Sequence, residues 1–141
     1  MSELNKQIMY SKRKKKFRMI KKRVALDEYV FYSILNTDIP MELGVAASMI
    51  TRGILCLYNK LVIDRIKNPY IVQWHSGEHI IVLRGYNHKH LKYLKNETKF
   101  VALGTHATYH RWYHNRIMLV LSVFGRKEEI ENVFDRLSYL R

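Results

Sequence analysis

The sequence is poor in cysteine, proline, glycine and acidic residues, and these shortages exclude several classes of protein. The single cysteine, Cys56, excludes an intrachain disulfide and a cysteine-rich zinc module, which predicts a reducing compartment. Two prolines and six glycines in 141 residues leave no room for a long linker. No apolar run approaches the roughly 18 residues of a membrane span, and no secretory segment follows the basic start. We therefore expect an intracellular protein without a membrane partner, in the cytoplasm or nucleoid, or in the nucleus of a eukaryote.

The composition of the chain is that of a folded protein. Apolar residues make up 48% of the sequence and aromatic residues 12%, far from the composition of disordered chains. A length of 141 residues suits one domain or two small ones. The sequence therefore predicts a globular protein with a sizeable core.

Positive charge is concentrated at the start of the chain. Residues 1–23 hold ten basic side chains and one acid, which is +9 of a formal net charge of +13. Lysine and arginine displace the counterions condensed on phosphates, so such a segment binds nucleic acid with salt-sensitive affinity that ignores sequence. A nuclear-import signal, a patch for anionic membranes and a solvated tail are the alternatives. The basic arm, residues 1–24, is predicted to contact phosphates through Lys12, Arg13, Lys14, Lys15, Lys16, Arg18, Lys21, Lys22 and Arg23.

The apolar pattern of residues 25–74 predicts three helices followed by two strands. The first helix has apolar residues three and four positions apart and acids in its first turn. The strands are rich in β-branched residues and flank a turn with Asn68 and Pro69. In chain order, the predicted elements are a helix from Ala25, a short helix from Thr37 or Asp38 to Gly44, a helix over residues 46–59, and strands over residues 61–66 and 70–74.

Residues 75–141 are predicted to form a mixed sheet with two helices. Residues 117–124 are apolar at nearly every position, which is typical of a strand covered on both faces, so we place this strand centrally. The last helix starts at Arg126 and has acids in its first turn and Ile130, Val133 and Phe134 on one face. The other predicted elements are strands over residues 79–84 and 100–103 and a cationic helix over residues 87–95.

Residues 41–57 read MELGVAASMITRGILCL and resemble the helix-turn-helix of phage Cro and repressor proteins. That motif needs an apolar anchor, a glycine in a left-handed turn and an apolar residue that seats the next helix, and Leu43, Gly44 and Val45 are of those types. Apolar Ile50 and Ile54 follow at the required spacing. The resemblance extends to the winged variety of the motif, with residues 61–65 and 70–72 as the strands of the wing.

This resemblance implies which residues would meet DNA. Arg52 would take a guanine edge or a phosphate, and its alternative is a solvated arginine paired with Glu42 or Asp38. On the wing, Arg65 and Lys67 would hold backbone phosphates, which position a protein without specifying sequence. The family's groove-facing positions fall on Ala46, Ala47, Ser48, Thr51 and Arg52.

All seven histidines lie between residues 75 and 114. His106, His110 and His114 are spaced by four residues, which invites a zinc or catalytic interpretation. Residues 75–116 have only two acids, while seven lysines and arginines are interleaved with aromatic residues. That composition favours contact with nucleic acid over hydrolysis. We therefore expect no catalytic residue, no metal ligand and no cofactor.

Together these patterns predict an α+β protein in three parts: the basic arm at residues 1–24, a winged helix-turn-helix at residues 25–74, and an α+β domain at residues 75–141. The third part would consist of a mixed sheet with two helices and serve dimerisation or further nucleic-acid contact. The predicted function is sequence-specific binding of double-stranded DNA, favoured over RNA, by a transcriptional regulator that is not an enzyme. A homodimer through the last helix is one arrangement, and packing of that helix on its own sheet is the other. The alternatives are a structural RNA-binding protein of a ribonucleoprotein and a metal-dependent nuclease or strand-nicking initiator that uses the histidines.

Overall fold

The computed structural model describes residues 28–112 and 114–140. Within that part of the chain the fold is α+β with a mixed sheet, as the sequence predicts. It has four helices and four strands. The basic arm and its nine predicted phosphate contacts lie outside the described residues. In chain order the elements are β1 (Tyr29–Asn36), α1 (Leu43–Val62), α2 (Asn68–Trp74), β2 (Ile80–Gly85), α3 (His88–Thr98), β3 (Gly104–Trp112), β4 (Asn115–Arg126) and α4 (Lys127–Phe134).

The sheet has the strand order β2-β1-β4-β3. β1 runs parallel to β2 and antiparallel to β4, and β3 is antiparallel to β4. The chain after α4 covers the outer edge of β2, because the Arg84 amide donates to the Ser138 carbonyl at 2.9 Å and the Leu140 amide to the Val82 carbonyl at 3.1 Å. Among the described residues, β3 therefore carries the open edge of the sheet.

Helices cover both faces of the sheet. On one face, α1 and α2 pack with Leu57, Leu61 and Ile71 against Phe31 and Phe124. On the other face, α3 and α4 pack with Leu91, Leu94, Ile130 and Phe134 against a second set of strand residues that includes Tyr32, Leu121 and Val123. The two inner strands, β1 and β4, are thus buried on both sides. The predicted central position of residues 117–124 is confirmed, and the last helix packs on its own sheet.

Residues 28–74 do not form the predicted winged helix-turn-helix. The first predicted helix is the strand β1, whose residues are almost all buried on both faces. The next two predicted helices are replaced by the single helix α1, which begins at Leu43 and runs unbroken to Val62. Gly44 lies in the first turn of α1, and no described glycine has a positive φ. The left-handed bend on which the motif depends is therefore missing.

The predicted wing and the predicted domain boundary are also wrong. Residues 61 and 62 continue α1, and Asn68–Trp74 form the helix α2 with Pro69 in its first turn, a position that proline tolerates. Residues 100–103 are not a strand, and β3 starts at Gly104. Because β1 lies between β2 and β4, the boundary at residue 74 divides one sheet rather than separating two domains.

α1 is long and unusually apolar for a helix on the outside of a sheet. An 18-residue window of this 20-residue helix has a mean hydropathy of 1.2, enough by length and composition to cross a bilayer, although a core helix of a soluble protein passes the same criterion. Gly53, Leu57 and Leu61 are buried against the sheet. Leu43, Val45 and Leu55 are exposed.

Candidate nucleic-acid interface

The residues expected to contact DNA bases lie in the first half of α1, and one of them is buried. Ala46 is only 6% exposed and packs among Leu35, Leu119 and Val120, so it cannot face a DNA groove. The other four, Ala47, Ser48, Thr51 and Arg52, are exposed on the helix surface. The Thr51 hydroxyl donates to the Ala47 carbonyl at 2.8 Å.

The two phosphate contacts expected on the wing lie instead between α1 and α2. The Asp64 carboxylate accepts the amides of Ile66 and Lys67 at 2.9 and 3.2 Å and fixes a tight turn there. Arg65 is exposed on this turn, and Lys67 occupies the position just before α2. Neither residue projects from a β-hairpin, so the phosphate grip that the resemblance implied for a wing has no structural counterpart here.

A cationic surface surrounds the open edge of the sheet. We call it the β3 edge surface. α1, β3 and β4 contain no acidic residue, and α3 contains only Glu97. The surface draws one side chain from α1, one from α3, three from β3 and one from β4: Lys60, Lys95, His106, Tyr109, Arg111 and Arg116.

His106 lies at one end of the β3 edge surface, in contact with Lys60 and within electrostatic range of Lys95. Lys60 donates from Nζ to His106 Nδ1 at 3.1 Å. Partial burial, then the charges of Lys60 and Lys95, lower the pKa of His106 below its ordinary value. The ring is therefore neutral at pH 7, and because Nδ1 accepts from Lys60, Nε2 carries the proton. That N–H is a donor suited to an anionic oxygen.

Tyr109 orders the cations at the other end of the surface. The Arg116 guanidinium lies 4.6 Å from the centre of the Tyr109 ring and the Lys95 ammonium 5.9 Å from it, both within range of cation–π attraction. Arg116 also lies directly opposite Arg111 in the β3–β4 register. Like charges in directly opposed strand positions are destabilising, so the strand pairing holds two arginines together at a cost to the fold.

The ion pairs of the described residues lie elsewhere. Around the start of α4, Arg126 contacts Glu128 and Glu129, and Lys127 contacts Glu28 and Glu131, all at 3.5–3.8 Å. No cation of the β3 edge surface forms a salt bridge with an acidic residue in the described ranges. The acids of α4 are thus paired with cations of their own neighbourhood, away from the cations around β3.

The histidines do not converge on a metal site. In the described ranges no group of three histidine, cysteine or acidic side chains could hold a metal ion. His106 and His110 lie on the strand β3, where positions four apart are separated by about 13 Å. His88 and His90 accept hydrogen bonds at Nδ1 from the amides of Met118 and Tyr86, both at 2.9 Å. These two rings hold the start of α3 in place.

No protein-family model matches the chain, and no curated protein matches it. The resemblance of residues 41–57 to Cro and repressor proteins therefore rests on the sequence pattern alone. Sequence reasoning did not single out Lys60, Lys95, His106 or Arg116 as phosphate contacts. For Lys95, His106 and Arg116 the signal was the interleaving of basic and aromatic residues between residues 75 and 116, which predicted the segment but not the partners. Lys60 lies outside that segment, and no sequence pattern singled it out.

Proposed function

We propose that this protein binds nucleic acid by its phosphates, through the β3 edge surface together with the basic arm. The observation that carries the proposal is the opposition of Arg111 and Arg116 on an open sheet edge, without an acidic partner from the described residues. Lys95 lies with Arg116 at the Tyr109 ring, and Lys60 adds a further cation at His106, farther along the same edge. Two like charges held close together repel each other, and an anion that binds between them relieves this repulsion.

The length of the surface suits a polymer better than a single small anion. His106 and Arg111 are five positions apart on β3, which is about 17 Å at the usual rise of a strand. A nucleic-acid backbone presents several phosphates over such a distance, and arginine and lysine neutralise them with release of counterions. The sequence of the basic arm adds nine further cations within residues 12–23.

A salt titration of the full chain tests this proposal. We expect duplex DNA, single-stranded DNA and structured RNA of equal length all to bind at about 50 mM salt, with the logarithm of the affinity for duplex DNA falling against the logarithm of salt with a slope steeper than about −4. Fluorescence anisotropy measures both quantities. The absence of binding at low salt, or an affinity indifferent to salt, would contradict the proposal.

A narrower proposal is that the protein is a regulator that reads double-stranded DNA with α1. It is supported by the exposed side chains of Ala47, Ser48, Thr51 and Arg52 and by the lack of any acid on α1. A helix of 20 residues is about 30 Å long, and an exposed helix face of small residues can approach a major groove. Tighter binding of a selected duplex than of random duplex or RNA would favour this function over a structural role on RNA.

Replacing Arg52 by alanine distinguishes contact with DNA bases from contact with the DNA phosphates. We expect Arg52→Ala to lower affinity for a duplex selected from random sequences about tenfold or more, and affinity for random duplex by less than about threefold, because a base-edge contact carries discrimination. Arg65→Ala is the matched control, since Arg65 is exposed but lies on the turn after α1. Equal losses on both duplexes from Arg52→Ala would remove α1 as a reader.

A further inference from the structure

A cavity of about 330 Å³ lies between α4, the strands β1 and β2, and the segment after α4. Apolar side chains of Ile81, Leu83, Phe134 and Leu137 line it, together with the ring of Tyr32. The remaining lining residues are polar or charged at their ends and are exposed: Glu131, Asp135 and Tyr139. The cavity therefore combines apolar walls with a mouth that carries two carboxylates.

The Tyr32 hydroxyl is the polar group inside this cavity. Tyr32 is 2% exposed, and its hydroxyl has no hydrogen-bond partner in residues 28–112 and 114–140. Burial, then the negative charges of Glu131 and Glu28, raise the pKa of Tyr32 above its ordinary value. Glu131 lines the same cavity as Tyr32. A buried hydroxyl without a partner is costly, so a ligand that hydrogen-bonds to it gains by doing so.

We propose that this cavity binds one organic cation, an alkylammonium or guanidinium group, between the Tyr32 hydroxyl and the Glu131 carboxylate. The apolar walls suit the methylene stem of such a group, and the rings of Tyr32, Phe134 and Tyr139 suit its charged head. Lys127 neutralises only part of the local negative charge, since its ammonium lies 3.8 Å from both Glu28 and Glu131 and Asp135 adds a third carboxylate. This site shares no residue with the β3 edge surface, and the inference does not rest on nucleic-acid binding.

Two sources can supply the cation. One is the chain itself, because Lys21, Lys22 and Arg23 end five residues before Glu28. The Glu28 carbonyl accepts the Lys127 amide at 2.8 Å, one helical turn before the cavity residue Glu131. Five residues of extended chain reach about 17 Å. The other source is a free amine in solution. The chemistry of the site is the same for both, so the experiment has one arm for each.

The test follows the Tyr32 ring by NMR in the full chain with ¹³C-labelled tyrosine. The Tyr32 signal is the one lost in Tyr32→Phe. If the chain supplies the cation, neutralising Lys21, Lys22 and Arg23 together with alanine moves the Tyr32 signal, and n-butylammonium or n-propylguanidinium then restores its position. If a free amine is the ligand, these probes move the Tyr32 signal of the unaltered chain in a saturable manner at fixed ionic strength.

A pair of variants on α4 decides whether the response belongs to the site. Glu131→Gln is expected to weaken the probes' binding about tenfold, or to abolish the effect of neutralising the arm. Glu128→Gln, on the same helix but paired with Arg126, is expected to leave both unchanged. A Tyr32 signal that ignores both the arm and the probes, or that responds equally in Glu131→Gln and Glu128→Gln, would overturn the proposal. Whether the cavity binds a cation or not, the salt titration tests nucleic-acid binding independently.

Discussion

Replacing Lys60 and Arg116 together by glutamate is expected to weaken nucleic-acid binding about hundredfold at about 0.15 M salt, or roughly 2.7 kcal/mol. Each substitution removes one phosphate contact and adds repulsion, so the salt slope should become shallower by about 2. The fold should survive, because both side chains are exposed and a glutamate at position 116 would lie opposite Arg111 as an ion pair. Anisotropy titrations at several salt concentrations measure the binding, and thermal melts monitored by circular dichroism check the fold.

The matched control is the double variant Arg84→Glu with Arg136→Glu. It changes the formal charge of the chain by the same four units, but Arg84 lies on β2 at the far side of the sheet and Arg136 follows α4. Because exposed charges are screened beyond about 8–10 Å, we expect the control to lower affinity by less than about threefold. Equal losses in the two doubles would mean that binding follows net charge alone and that the β3 edge surface is not an interface.

The elements that the sequence predicts correctly are those in which local pattern and tertiary environment agree. Residues 117–124 are apolar throughout and lie in β4, which is buried on both faces. The predicted cationic helix is α3, capped by the Asn87 side chain, which accepts the His90 amide at 2.9 Å. The helix predicted from Arg126 is α4, with Glu128 and Glu129 in its first turn, where the helix dipole favours acids.

The sequence predicts a helix in place of β1 because a strand buried on both faces lacks the alternation of apolar and polar residues by which strands are recognised. Its sequence YVFYSILN is apolar at most positions, so positions three and four apart are apolar whether the segment is a helix or a strand. Its pairing with β2 and β4, from residues 80–126, decides the structure. The β-branched residues after Lys60 were similarly predicted as strands, whereas the buried Leu61 and Ile71 pack in α1 and α2.

The sequence could predict which segment contains the candidate interface, but not which of its residues lie close together. The density of basic and aromatic residues marked residues 75–116 without naming partners. Lys60 and His106 are 46 positions apart and meet only because α1 lies over β3. Arg111 faces Arg116 because of the hairpin register, which the sequence pattern did not supply. Pairings of this kind depend on tertiary contacts between distant elements, and the spacing of apolar residues within one helix or strand does not predict them.

Gly53→Ala is expected to lower the free energy of unfolding by about 2 kcal/mol, although alanine favours helices over glycine by about 1 kcal/mol. α1 crosses the sheet closely at this point, and a Cβ atom on Gly53 would come 2.5 Å from Ser122 Oγ and 3.4 Å from Thr108 Oγ1. The hydroxyls of Ser122 and Thr108 are buried without a hydrogen-bond partner in the described part of the chain. Small side chains here allow the helix to approach, and urea unfolding measures the cost of enlarging one.

Two further variants show whether the cost comes from this contact. Ser122→Ala removes both the obstructing atom and an unsatisfied hydroxyl, so alone it should be neutral or stabilising. Combined with Gly53→Ala, it should restore or exceed the original stability, which gives a coupling energy of about 2 kcal/mol between the two positions. Gly44→Ala is the control on the same helix, since nothing lies within 4 Å of the added Cβ. If Gly53→Ala proved as harmless as Gly44→Ala, α1 would not lie against Ser122, and the approach of Lys60 to His106 would lose its structural basis.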